Sequence, residues 1–151
     1  MSLEQWLRNG WLQQSEPTVA QIQQLQRVVD RDVSDAQVVG LSPDGRFQHA
    51  YDAALQLCMI ALLASGYQVP KGAGRHKRGI DSLRYTLGDR WSESADHIER
   101  CSRLRGQAIY ERIGAVSEQD ADDLLDTAKQ LRIDVVNWLR RNHAALVPPD
   151  I

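Results

Sequence analysis

Apolar residues recur along this chain at steps of three and four, and no segment keeps a period of two. That spacing predicts helices throughout, because residues three and four apart share one face of a helix. Leu3–Leu12 reads as a short amphipathic start carrying Trp6, Leu7, Trp11 and Leu12. Ser15 and Pro17 mark a helix entry. Val19, Ile22, Leu25, Val29, Val33 and Ala36 then hold one face of a long helix, with a stop at Gly40. Ser42-Pro43 opens the next helix by the same logic. Phe47, Ala50, Tyr51, Ala54, Leu55, Cys58, Ala61 and Leu62 give it an apolar face wide enough for a central, mostly buried element over Phe47–Leu63.

Gly66 suits the residue after a helix end. Tyr67–Gly79, with Pro70 and its glycines, reads as a loop. Ile80, Leu83 and Leu87 make a short helix ending near Gly88. Ser92 or Ser94 starts a helix through Ile98, Cys101, Leu104 and Ala108, ended by Gly114. Gly106 lies inside it and predicts a break or a close approach. Ser117-Glu-Gln-Asp120 places acids in the first turn of the last helix. Ala121, Leu124, Leu125, Ala128, Leu131, Val135 and Trp138 hold its buried face, and Pro148-Pro149 forbid continuation. The expected architecture is an all-α, up-and-down bundle of five to six helices, forming one domain over residues 1–151.

Composition adds little until charge is placed along the chain. The net charge of −2 excludes a general polyanion binder. Between Lys71 and Arg112, however, ten Lys and Arg stand against six Asp and Glu, a local excess that could meet phosphate. Cys58 and Cys101 lie in apolar helical patterns without CxxC spacing and read as buried thiols. The first residues lack a basic stretch followed by an apolar run, and Leu57–Ala64 is too short to span a bilayer. The expected location is cytoplasmic, with no membrane association.

Two stretches carry candidate chemistry. Lys71-Gly-Ala-Gly-Arg-His-Lys-Arg78 is a glycine-spaced basic segment. Its Lys71, Arg75, Lys77 and Arg78 either contact phosphate or nucleic acid, or form a solvated loop. It lacks the Gly-Lys-Ser/Thr of a Walker A loop, and no cofactor motif is evident. His76 is the best proton-transfer candidate, being an imidazole on a flexible segment among cations.

Arg103-Leu-Arg-Gly-Gln-Ala-Ile-Tyr110 puts Arg103, Gln107 and Tyr110 on one helical face and Arg105 near the packed seam. Arg105 either pairs with Asp52 or Glu111, or lines a phosphate-binding cleft with Arg103 and Tyr110. His49 reads as a core hydrogen-bonding group, and His97 and His143 are scattered. No His/Cys/Asp/Glu group has metal-ligand spacing, so no metal site is expected. Arg90 and His97 fit an arginine-to-histidine spacing that chance alone supplies about once in a chain of this composition.

These pieces, in order, resemble the HEPN superfamily from about Trp6 to Trp138. Arg46-Phe47-Gln-His-Ala50-Tyr51-Asp52-Ala53-Ala54 is similar to the opening of its central helix. Ala61-Leu62-Leu63-Ala64-Ser-Gly66-Tyr67 is similar to the end of that helix, and Gly72-Ala-Gly74-Arg-His76-Lys to the following loop. Arg103-Leu-Arg105-Gly106, then Tyr110, is similar to the arginine segment, with Gly106 in place of Asn and Tyr110 in place of the expected histidine.

The resemblance implies a homodimer through the arginine helices, with RNA, a nucleotide or a nucleotidyltransferase as partner. It also implies a phosphate role for Arg103 or Arg105. Tyrosine titrates near pH 10, so Tyr110 is a poor proton carrier at neutral pH. Three readings stand: a binding module without strong catalysis, a metal-independent ribonuclease using Arg103/Arg105 and His76, and an antitoxin-like or structural partner using an exposed strip with Trp6 and Trp11.

Overall fold

The computed structural model describes residues 1–110 and 114–151, with residues 108–110 described by backbone alone. The element order is α1 (Leu3–Arg8), β1 (Gln13–Gln14), α2 (Val19–Asp35), α3 (Pro43–Ala64), β2 (Tyr67–Gln68), α4 (Arg75–Asp81), α5 (Leu83–Thr86), α6 (Ser92–Tyr110) and α7 (Glu118–Asn142). This is an all-α bundle. Among the described residues, one small sheet pairs β1 with β2 antiparallel, Gln13 opposite Gln68 and Gln14 opposite Tyr67. Among the described residues, no helix is long and apolar enough to cross a membrane.

Helix α3 is the hub, packing against α2, α4, α6 and α7. Ser42 caps it by accepting the Gly45 N–H at 3.1 Å, and Pro43 occupies the first turn, where its missing N–H costs nothing. Its apolar residues surround the helix rather than forming a stripe. Leu57, Cys58, Ile60 and Ala61 are fully buried, and Leu55 and Leu62 are 7% and 1% exposed. Truncating one such leucine to Ala costs about 2–5 kcal/mol. The expectation of a central helix over Phe47–Leu63 is met, with four residues added at the N-terminal end after the Ser42 cap and Ala64 at the other.

Helix α7 begins where the acids predicted it. Ser117 accepts the Asp120 N–H at 3.0 Å, and the Asp120 carboxylate accepts the Ser117 N–H at 3.0 Å.

Several boundaries differ from the sequence reading. Helix α1 stops at Arg8, before a turn in which Gly10 has φ 76°. The chain at Gln13–Gln14 is extended, and the Ser15 N–H donates to Gly66 C=O at 2.8 Å. The helix entry is therefore at Thr18, which forms a reciprocal cap with Gln21. Trp6 is buried with Leu12, Leu62 and Val69, edge-on to Trp11 at 6.1 Å and Tyr85 at 5.2 Å. Trp6 and Trp11 therefore cap a small core and do not form the exposed strip required by the antitoxin-like reading.

The most consequential difference lies in the basic segment. Residues Arg75–Asp81 are helical, so Arg75, His76, Lys77 and Arg78 stand on α4 and not on a flexible loop. Lys77 and Asp81 form an i,i+4 pair at 2.8 Å, and Ile80 anchors the helix in the core. Gly79 lets α4 approach α3, since a Cβ there would strike the Met59 thioether. Helix α6 runs unbroken through Gly106, where an added Cβ would meet nothing within 4 Å. The expected break or close approach at Gly106 is absent.

Candidate phosphate site

The site forms where α3, α4 and α6 meet. Its centre is Tyr51, a fully buried side chain of α3. The Tyr51 hydroxyl lies 3.1 Å from His76 Nδ1 on α4 and 3.2 Å from Ser102 Oγ on α6. The Arg105 guanidinium, one turn beyond Ser102, stands over the Tyr51 ring with its carbon 5.2 Å from the centroid. Its Nε donates to Gln48 Oε1 at 3.0 Å, and Gln48 Nε2 donates in turn to Asp52 Oδ1 at 2.9 Å.

The three α3 residues share one face because they are spaced i, i+3 and i+4. Asp52 is thus linked to Arg105 through an amide rather than by the direct ion pair that the sequence suggested. Glu111, the other expected partner, lies outside the described residues. Among the described residues, Arg105 has no carboxylate partner and its terminal nitrogens make no hydrogen bond. Among the described residues, neutral groups hold it in place.

His76 is half-buried. Burial first, then the positive fields of Arg105 and Arg75, hold its pKa below the ordinary imidazole value, while Asp52 opposes the shift. His76 is therefore neutral at pH 7. With Tyr51 donating to Ser102, the phenol oxygen accepts from His76 Nδ1–H, which leaves a lone pair on Nε2. Burial raises the Tyr51 pKa, against the pull of Ser102 and Arg105, so the phenol keeps its proton.

The other expected phosphate ligands divide into two groups. Arg103 pairs with Glu99 at 2.8 Å, and Lys77 pairs with Asp81, which raises the Lys77 pKa. Neither is brought to the Tyr51 site. Lys71, Arg75 and Arg78 line a neighbouring groove of about 170 Å³ beside Trp11, and Arg78 stacks on the Trp11 ring at 4.5 Å. Arg75, adjacent to His76 on α4, lines this groove, and its charge is one of the causes that lower the His76 pKa. The Tyr110 side chain lies outside the described residues.

Elsewhere, Cys58 and Cys101 are buried thiols, pushed up to about 12 and about 11 by burial, and are inert at neutral pH. His97 Nδ1 lies 3.0 Å from Thr127 Oγ1 on α7, while Arg90 is an exposed residue of a 3-10 turn. No metal-ligand spacing stands in the sequence, yet packing of α2 on α3 brings ligand atoms of Asp32, Asp35 and His49 within 4.8 Å of one another. Sequence reasoning also missed Gln48, Tyr51 and Ser102 as site residues. The i,i+3 pairs Gln48/Tyr51 and Ser102/Arg105 were the available signal.

Comparison with protein-family models, with curated proteins and with solved structures finds no match to this chain. The functional reading therefore rests on the geometry and on the ordered series of residues in the sequence.

Proposed function

We propose that this protein is a HEPN-like module that binds a phosphate group of RNA or of a nucleotide between Arg105, His76 and Arg75. One observation carries the reading. Arg105 is held by a neutral amide and an aromatic face, beside an imidazole, without a carboxylate partner among the described residues. A guanidinium so placed offers two terminal nitrogens to phosphate oxygens in the fork geometry that favours Arg in such sites. The Lys71–Arg75–Arg78 groove beside Trp11 extends the surface along a strand, with cations for the backbone. A homodimer contact through α6 belongs to the same reading, as does a protein partner of nucleotidyltransferase type.

Fluorescence anisotropy with a labelled single-stranded RNA at low salt tests the proposal. Affinity falls as salt rises, because phosphate contacts release counterions. Arg105→Gln and Arg75→Glu weaken binding, whereas Arg103→Gln leaves it nearly unchanged. No binding at low salt, or equal binding by wild type and Arg105→Gln, contradicts the reading.

A second reading, slow metal-independent RNA cleavage, is favoured by the lone pair on His76 Nε2. There His76 takes the proton of a ribose 2′-hydroxyl, the 2′-oxygen attacks phosphorus, and the P–O5′ bond breaks to give a 2′,3′-cyclic phosphate. Arg105 offsets the charge that develops on the phosphoryl oxygens. The leaving 5′-oxygen must take its proton from water or from the Tyr51–Ser102 pair. Tyr51 is a poor donor because its proton is held tightly, so turnover is slow. His76→Ala abolishes such cleavage while sparing the helical content; cleavage that survives it rules out this second reading.

A further inference from the structure

Asp32 is the one buried carboxylate among the described residues, only 3% exposed on the core side of α2. A carboxylate in that position costs several kcal/mol unless a charge or strong donors meet it. Its partners here are thin. The Arg31 guanidinium, 65% exposed, reaches its carboxylate at 3.4 Å, and His49 Nδ1 of α3 stands 3.5 Å away. That imidazole nitrogen is itself buried and makes no hydrogen bond. Asp35, one turn after Asp32, supplies a third donor, and one ligand atom from each residue falls within 4.8 Å of the others.

An ion pair between protonated His49 and Asp32 would use only two of these groups. It would also aim an N–H that does not reach hydrogen-bond geometry. A cation bound there gives the imidazole lone pair an acceptor and the buried carboxylate a closer countercharge than the exposed Arg31.

From this we infer that Asp32, Asp35 and His49 form a binding site for a divalent transition-metal ion of the zinc type, clamping α2 to α3. Donors about 2.0–2.2 Å from a tetrahedral Zn²⁺ stand about 3.3–3.6 Å apart, which the Asp32–His49 pair already satisfies. Asp35 completes the set by a side-chain rotation, and Arg31 swings into solvent. One imidazole and two carboxylates favour a borderline ion over Mg²⁺ or Ca²⁺, which prefer oxygen alone. Water fills the fourth position. The site lies between α2 and α3 and shares no residue with the His76–Arg105 site.

Calorimetric titration of chelator-treated protein with Zn²⁺ tests the inference, supported by thermal melts and by the visible spectrum of the protein loaded with Co²⁺. The expected results are one ion per chain, a raised Tm, and the intense absorption of a tetrahedral Co²⁺ centre. Asp35→Asn and His49→Gln each weaken binding at least about tenfold (~1.4 kcal/mol), with unchanged helicity. His97→Gln and His143→Gln bind as wild type does. Mg²⁺ does not compete. The inference is overturned by absence of binding, by absence of the Co²⁺ absorption, or by binding that persists in Asp35→Asn and His49→Gln.

Discussion

Arg46 on α3 and Arg105 on α6 sit in one bundle, and the chain treats them in opposite ways. Arg46, near the start of α3, donates to Glu118 at 2.7 Å, to Asp122 at 2.6 Å and to the Ala36 carbonyl at 3.2 Å. It ties α3 to the first turns of α7 and to the end of α2, and the Asp122 contact, chiefly, raises its pKa. Arg105 has an amide and an aromatic face. The Arg46 donors are filled by carboxylates and tie helices together, whereas among the described residues Arg105 has no carboxylate partner, which is the feature the proposed phosphate site rests on.

Substitution separates the two roles. Arg46→Gln lowers unfolding stability by about 1–2 kcal/mol, since it removes three hydrogen bonds of the guanidinium, two of them to exposed carboxylates; urea denaturation measures it. Phosphate or RNA affinity is unchanged in that variant. Arg105→Gln does the reverse: affinity drops at least about tenfold (~1.4 kcal/mol), while stability moves by less than about 1 kcal/mol, the scale of one cation–π contact. If Arg105→Gln unfolds the protein and Arg46→Gln does not, the contrast is inverted.

A smaller effect sharpens the same contrast one residue from Arg105. Gly106→Ala fills open space on a continuous helix, so it raises stability by about 1 kcal/mol. It should leave binding intact, because the residue contributes no side chain to the site.

The smallest effect is in the pH dependence. The folded-state pKa of His76 lies below its unfolded value of about 6.5, so the unfolded chain binds more protons in that window. Stability contributed by the neutral imidazole is present above about pH 6.5 and is lost as pH falls below it. His97 and His143, also depressed by burial, act in the same direction. Between pH 7.5 and 5.5 the Tm therefore declines in wild type and declines less in His76→Gln.

What was legible in the sequence follows from how local each feature is. The central helix and the Ser117 cap depend on residues a few positions apart, and both were readable. The Thr18-to-Gln21 cap is just as local, but the Ser15-Pro17 pair drew the helix entry away from it. The helicity of Arg75–Asp81 depends on Ile80 finding the core and on Gly79 meeting Met59, contacts between elements that glycine-rich composition conceals. The link from His76 to Arg105 runs through Tyr51, 25 residues before one and far from the other along the chain. An apolar-patterned tyrosine looks like core until its hydroxyl partners are known. Arg103 was attractive by motif, yet Glu99 four residues earlier captures it.

Phosphate binding beside His76 and Arg105 is tested most directly by titrating the histidine imidazoles by NMR with and without uridine monophosphate. An anion next to His76 favours its protonated form, so the His76 pKa rises on ligand addition in wild type. In Arg105→Gln that rise is lost, and His143, remote from the site, is unmoved in both. A His76 pKa that ignores the nucleotide in wild type, or that rises equally in Arg105→Gln, contradicts the account.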